Sequence, residues 1–277
     1  MKITVVQPRY FCGENPDEKI ADFLITEMKK VSSGGIVVLP EYSNAGGLSD
    51  PDKELAAIAR SKNMLKIAGE TAKEKSAYVA INVLEKRNGE IKNSTYLFDK
   101  CGNVAFVYDK HHLPVSEVRL GIKAGNSSGK CGCVCELDGI KFAFMTCYDV
   151  YFNEQIEYIA KHKPDIILIP GYQRGERTDI IHAQAKLCAF RCNAFVARAS
   201  YSMDSDEHGG CSMIVAPDGR ILENIGKGVG SISVDVNPTE KYMRQAGFGE
   251  KLVRNDDFIS DGLCPESFVK NVSLEGY

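Results

Sequence analysis

Three side chains of different chemistry stand at the ends of apolar runs. Glu41 closes Ile36-Val37-Val38-Leu39-Pro40-Glu41, Lys110 closes Val104-Ala105-Phe106-Val107-Tyr108-Asp109-Lys110, and Cys147 closes Phe142-Ala143-Phe144-Met145-Thr146-Cys147. A thiol, a carboxylate and an ammonium are the parts needed to break an amide bond covalently. The thiol attacks, the carboxylate carries protons, and the ammonium holds a developing oxyanion. Each residue alone also has a plain reading, as a core cysteine, a loop carboxylate or a surface lysine. The chemistry depends on whether the three meet.

The elements that would bring them together alternate between strand and helix. Residues 1–10 begin a strand almost at Met1. Asn15-Pro16-Asp17-Glu18 reads as a helix start, with Asn15 as N-cap and Pro16 in the first turn. Gly34-Gly35 ends that helix before the Glu41 strand. A second helix is expected from about Asp52 to Lys62, and the segment from Lys66 to Val83 fits either helix or strand. Asn88-Gly89 and Cys101-Gly102-Asn103 read as hairpin turns around a strand at Thr95–Phe98. Further on, helices are expected near Asn153–His162 and Asp179–Cys192, with strands at Ile166–Ile169 and Phe195–Ala199. A hairpin, Met213–Val215 and Ile221–Glu223, closes the regular part. Beyond Val236 the polar tail holds one more helix after Asn237-Pro238. No internal repeat or linker is visible.

Cys147 lies between a strand and the helix-starting segment Tyr148-Asp149-Val150-Tyr151-Phe152-Asn153-Glu154. Such a turn exposes a nucleophile and aims backbone N–H groups at it. Those donors and a nearby lysine are expected to pull the thiol pKa down.

With 277 residues and 44% hydrophobic content, the chain fits one large α/β domain. The net charge of −3 comes from intermixed charges, so neither nucleic acid nor a membrane surface is an expected partner. No signal peptide or membrane span is read, and the protein is expected in the cytoplasm. Ten scattered cysteines then read as free thiols. Cys131-Gly132-Cys133-Val134-Cys135 has a period-2 spacing that suits packing on one strand face better than zinc. Cys188 and Cys192 share a helix face, also as packing. No metal or cofactor motif is read. The Asn-x-Ser/Thr sites at Asn93, Asn126 and Asn271 carry no meaning in a cytosolic protein.

The segments around the three reactive residues resemble the nitrilase or carbon–nitrogen hydrolase superfamily. Val38-Leu39-Pro40-Glu41, Tyr108-Asp109-Lys110-His111-His112-Leu113 and Thr146-Cys147-Tyr148-Asp149 with Phe152 and Glu154 are similar to its Glu, Lys and Cys segments. Gly210 to Gly219 resembles its late hairpin. Four segments in order, 69 residues from Glu41 to Lys110 and 37 from Lys110 to Cys147, carry the likeness. It implies a four-layer α-β-β-α sandwich pairing into a homodimer or higher oligomer, with residues 237–277 as an extension at the interface. It also implies Glu41 as general base, Lys110 and the Tyr148 N–H as oxyanion donors, Cys147 as nucleophile and Glu117 as a second glutamate. No cofactor is implied.

Tyr148-Asp149 after the nucleophile is similar to amidase branches, where nitrilases tend to carry Trp-Glu. The expected activity is hydrolysis of a small linear amide or carbamoyl compound through a thioester. The alternatives are a nitrile hydrolase, a catalytically weak metabolite-binding protein, or a Cys-His hydrolase using His182 or His208. Related amidases often carry Arg at position 151 and Pro at 153, where this chain has Tyr151 and Asn153. An acidic substrate group would then need Arg174 or Arg177. Thr178 and His182 keep the family spacing, but Ala183 replaces the usual Trp, and Phe190-Arg191-Cys192-Asn193 lacks the acidic-Asn pair. Tyr42, Asn44, Tyr148, Asp149, Tyr151, Tyr172, Gln173, Arg174 and His182 are the candidate substrate-binding residues, most of them placed where strand ends bind ligands. With no synthetase domain following and no spans, a glutamine-dependent NAD synthetase and a lipoprotein acyltransferase are not expected.

Overall fold

The computed structural model describes residues 1–10, 16–46, 51–125 and 132–263. The expected N-cap at Asn15, Cys131, and the sites at Asn126 and Asn271 lie outside the described residues. In chain order the elements are β1 (Lys2–Gln7), α1 (Pro16–Met28), β2 (Ile36–Val38), α2 (Pro51–Lys75), β3 (Tyr78–Arg87), β4 (Glu90–Phe98), β5 (Val104–Asp109) and α3 (Val115–Arg119). Then follow β6 (Val134–Leu137), β7 (Ile140–Phe144), a 3₁₀ turn (Cys147–Tyr151), α4 (Asn153–Lys161), β8 (Ile166–Pro170), α5 (Thr178–Cys192) and β9 (Phe195–Ala199). The chain continues through β10 (Met213–Val215), β11 (Ile221–Asn224), β12 (Gly230–Asp235), β13 (Met243–Gln245), β14 (Leu252–Arg254) and α6 (Asn255–Asp261).

Two six-stranded sheets result, ordered β12-β1-β2-β3-β4-β5 and β11-β10-β9-β8-β7-β6. In the first, β1, β2 and β3 are parallel, while β4, β5 and β12 are antiparallel to their neighbours. The second repeats that order: β7, β8 and β9 are parallel, flanked by antiparallel β6, β10 and β11.

The apolar runs of the sequence are strands buried on both faces. In β2, Ile36 and Val38 join the core between the sheets, while Val37 packs with Leu24 and Met28 of α1 and Ala68 of α2. On the other side, Ile167 and Ile169 of β8 share a core with Ile159 of α4 and Ala185 and Cys188 of α5. Alternate side chains along each strand thus face a sheet or a helix, giving the expected α-β-β-α sandwich.

The strand expected at Thr95–Phe98 begins at Glu90, and three larger differences from expectation follow. Helix α2 continues from the expected end at Lys62 to Lys75, because Ser61, Met64, Ala68 and Ala72 extend one buried stripe under polar neighbours. Regular structure does not close with β10 and β11. In β12, Ile232 and Val234 alternate with Ser231 and Ser233, a period-2 strand hidden by its polar content, which pairs with β1 over six residues. The helix expected after Asn237-Pro238 begins only at Asn255, behind the hairpin β13–β14.

Candidate active site

Glu41 and Lys110 come from the first sheet and Cys147 from the second. The residue after Glu41, Tyr42, sits in the left-handed region at φ 55°, and Cys147 itself at φ 48°. Both are uncommon for side-chain-bearing residues and mark turns held by their surroundings. At Tyr42 the backbone N–H donates to Asn82 Oδ1 (2.8 Å), and Tyr201 Oη donates to the carbonyls of Glu41 (2.7 Å) and Tyr42 (3.1 Å). At Cys147 the buried Asp149 holds the turn. Its carboxylate accepts from the Thr146 N–H (2.8 Å), Tyr108 Oη (2.7 Å), the His112 N–H (2.9 Å) and His112 Nδ1 (2.9 Å). Asp149 is therefore a structural cap of the Cys147 turn, with its oxygens consumed.

Lys110 follows β5 and is 1% exposed. Its backbone carbonyl accepts from the Gly125 N–H at 2.9 Å, and a Cβ on Gly125 would lie 2.2 Å from the Asp109 carbonyl. Only glycine permits that approach. The ammonium donates to Glu41 Oε1 and Glu117 Oε1, both at 2.8 Å. Burial works against its charge, but Glu41, Cys147 and Glu117 outweigh burial and hold the pKa above the usual lysine range. Glu117, in α3, also accepts from Tyr42 Oη. Burial first, then the charge of Glu41, raises its pKa.

The thiol departs from expectation. Its pKa is raised well above the usual range, by burial first and then by the charge of Glu41. Lys110 and the Tyr172 N–H pull the other way without prevailing. At rest the Cys147 sulfur is thus a protonated thiol beside Glu41, and it would have to lose that proton before it could attack.

Asn93 belongs to this site and was missed as a sequon of no meaning. Its Nδ2 donates to Glu41 Oε1 (2.8 Å) and Glu117 Oε1 (3.2 Å), and its Oδ1 accepts from Asn82 Nδ2 (2.7 Å). The readable signal was the polar run Lys92-Asn93-Ser94-Thr95 inside a strand, buried throughout.

The structure brings Tyr42 and the Tyr172 N–H to this centre. Tyr42 and Tyr172 meet edge to face, with ring centroids 5.8 Å apart. Tyr148 packs on Tyr151 and Phe152 beside Cys147. Tyr151 is exposed and donates to Glu176, while Gln173 Nε2 donates to Tyr151 Oη (3.3 Å) and Gln184 Oε1 (2.9 Å). Asn44 is not in the centre: its amide is used by the carbonyls of Ala57 and Leu84 and the Leu84 N–H, which tie the loop after Glu41 to β3. His182 Nε2 is engaged with Asn224 Nδ2 at 2.9 Å. Arg174 lies over the rings of Tyr10 and Tyr172, and Arg177 is paired with Asp179 (2.7 Å). The cysteines at 133, 188 and 192 are buried core residues. Among the described residues, no group of His, Cys, Asp or Glu is arranged to hold a metal ion.

The model of the carbon–nitrogen hydrolase family matches residues 2–241. The chain is 29% identical over 233 residues to a 2-oxoglutaramate amidase of Bacillus subtilis, covering 81% of this chain and 86% of that protein. It is 26% identical to the hydrolase in the agr operon of Staphylococcus aureus, covering 87% and 92%. A cysteine-to-alanine mutant of the nitrilase-superfamily amidase from Nesterenkonia sp. AN1 superposes with a TM-score of 0.75 at 16% identity, covering 98% and 97%. The same amidase in complex with butyramide gives a TM-score of 0.73 at 18% identity. The fold is thus shared with those amidases, and the chain belongs to the carbon–nitrogen hydrolase family.

Proposed function

We propose that this protein hydrolyses a small linear amide or carbamoyl compound, using Glu41, Lys110 and Cys147 with Glu117 in support. The observation that carries the reading is a pair of orphaned acceptors. Among the described residues, Glu41 Oε2 and Glu117 Oε2 are buried with no N–H or O–H donor on them, the Cys147 thiol being the one group that bonds the Glu41 carboxyl from the nucleophile side. Buried carboxylate oxygens left unsatisfied are costly, so the centre calls for a donor. A primary amide brings an –NH₂ group with two donors; a nitrile brings none. The names of two relatives, 2-oxoglutaramate amidase and the omega-amidase of Saccharomyces cerevisiae, support the same reaction class.

In the proposed cycle Glu41 takes the thiol proton as the Cys147 sulfur attacks the carbonyl carbon. The oxyanion is held by Lys110 and by backbone N–H groups at the turn after Cys147. The C–N bond breaks, Glu41 returns the proton to nitrogen, and ammonia or an amine leaves a thioester. Water gives a proton to Glu41 and adds to the thioester, and the acid departs as the thiol regains its proton.

The same reading takes the chain as one cytoplasmic domain working as a homodimer through residues 237–277. Tyr242, Met243, Phe248 and Leu252 support it, being exposed and lining one shared depression. Among the described residues no helix is long and apolar enough to cross a membrane.

The test is ammonia release from a panel of small amides, ureido compounds and nitriles, with Cys147→Ala alongside. Amide or carbamoyl turnover is expected, with loss of at least roughly four orders of magnitude in the variant. Release from nitriles alone, or turnover surviving in the variant, would overturn the reading.

A further inference from the structure

Tyr78 and Ala80 of β3 face the core between the sheets, while Val79, Ile81 and Val83 face the helices. Asn82 therefore takes the next inward position, an amide where its strand neighbours are apolar. A buried amide has to find its partners within the protein. Asn82 is fully buried and finds three. Its Oδ1 accepts from the Tyr42 N–H (2.8 Å), and its Nδ2 donates to Asn93 Oδ1 (2.7 Å) and to Thr95 Oγ1 (3.0 Å), the residue opposite it on β4.

The two ends of an asparagine amide are alike in shape and opposite in chemistry, so their sense follows from what they meet. The Tyr42 backbone N–H can only donate. It takes the carbonyl end of Asn82, which leaves Asn82 only N–H groups to offer Asn93. Asn93 answers with its own carbonyl, and its N–H groups are turned to Glu41 Oε1 (2.8 Å) and Glu117 Oε1 (3.2 Å). One backbone N–H in the turn after Glu41 thus dictates, through two side chains, that a donor meets the carboxyl groups. A second branch leaves through Thr95. Its hydroxyl accepts from Asn82 and keeps its own proton for Thr146 Oγ1 (3.2 Å), the residue before Cys147.

We infer that Asn82 is a positioning residue, which holds the Asn93 amide with its donors on Glu41 and Glu117 and so keeps Glu41 ready to take a proton. The inference rests on the reading of Glu41 as the base and adds a residue that sets its state. A donor on a carboxyl group favours the carboxylate, whereas a carbonyl in the same place favours the acid. The other groups facing Glu41 are Lys110 after β5, Glu117 of α3, Cys147 and Tyr42. Lys110 works in the same direction as the Asn93 donor, and the charge of Glu117 works against both. Reversing the Asn93 amide would therefore remove one of two supports and add a second opponent.

The substitution that reverses the relay is Asn82→Asp. It keeps an acceptor for the Tyr42 N–H and, when ionised, has no donor for Asn93, whose amide should then turn its carbonyl to the glutamates. The acid limb of the kcat/KM profile on a small amide is expected to move up by about one pH unit. The added charge also reaches Glu41 through space, so the substitution is repeated in Asn93→Ala, where nothing relays it. There the limb should move about half as far or less. Equal movement in both backgrounds, or none in the wild-type one, would overturn the inference. Side-chain amide NMR of asparagine-labelled protein needs no turnover. Glu41→Gln should move the Asn93 N–H signals in the wild-type background and leave them nearly in place in Asn82→Asp. Where Asn82→Asp fails to fold, the wild-type background decides: Asn93 signals that follow Glu41→Gln uphold the relay, and signals that ignore it overturn it. The expected NMR pattern in a protein that cleaves no amide would uphold the relay and sink the amidase reading.

Discussion

The two sheets have the same strand order and opposite chemical content. Each has three parallel strands joined by outer helices and continued by two antiparallel strands. In each, a parallel strand ends in a left-handed residue that turns out a reactive group: Glu41 before Tyr42 in the first, Cys147 in the second. The first half adds Lys110, Glu117 and Asn93, so it carries both carboxyl groups and the ammonium. The second adds the Cys147 thiol, the Tyr172 N–H and Arg198. Neither half is a site alone. Contacts that cross between the sheets, Tyr108 to Asp149 (2.7 Å), Thr95 to Thr146 (3.2 Å) and Tyr201 to the Glu41 carbonyl (2.7 Å), set the register in which thiol and carboxylate meet. One topology can serve two roles because strand ends fix positions and leave side-chain chemistry free.

This division of labour can be broken from either side. After Cys147→Ala, the largest effect is expected from Glu41→Gln, which removes the proposed base of both half-reactions. A fall of about 10²–10⁴ in kcat is expected. The same variant sharpens the comparison, because Glu41 also raises the thiol pKa. The pH profile of iodoacetamide labelling at Cys147 should therefore move to lower pH in Glu41→Gln. A profile that stays in place would show that the two halves do not communicate.

Lys110→Met should cost about 10²–10³ in kcat. It should also destabilise the protein by about 3–5 kcal/mol in denaturant titration, because Glu41 and Glu117 would be left buried together without a cation. Its labelling profile should move to higher pH, opposite to Glu41→Gln, since Lys110 lowers the thiol pKa.

Asn93→Ala removes the amide that bridges Glu41 and Glu117. A loss of about 1–3 kcal/mol is expected in denaturant titration, with a smaller fall in kcat/KM than at either charged residue.

The smallest effect concerns His112, which joins the halves through Asp149 and stacks on Phe152 with ring centroids 3.8 Å apart. Burial opposes its charge, but the bond to Asp149 prevails and raises its pKa. A pKa raised on folding adds stability that is complete below the unfolded value, about 6.5, and is lost as pH rises through the folded value. The melting-temperature difference between wild type and His112→Gln should therefore be larger near pH 6 than near pH 8.5. A difference independent of pH would leave stacking as the whole contribution.

Much of this was open to a reader of the sequence. The apolar runs announced strands buried on both faces, and their terminal residues are the ones the sheets bring together. Where the reading stopped short, a competing signal hid the element. Polar spacing broke the apparent stripe of α2 after Lys62. Serines masked the alternation of β12. A sequon drew attention away from Asn93. Arg198 sits within Phe195-Val196-Ala197-Arg198-Ala199, a strand recognised as such, yet nothing local says that its partners are the carbonyls of a glycine turn twelve residues on.

The order of the reactive residues, their place at strand ends and the amidase-like segment after Cys147 were determined by the sequence by itself, because local pattern records which side chains a strand presents at its end. The protonated state of the thiol, the sharing of Lys110 between two glutamates, the capping role of Asp149 and the burial of Arg198 were decided only by the tertiary structure. Those properties arise from burial and from distances between groups far apart in the chain, and both exist only once the two sheets have closed on each other.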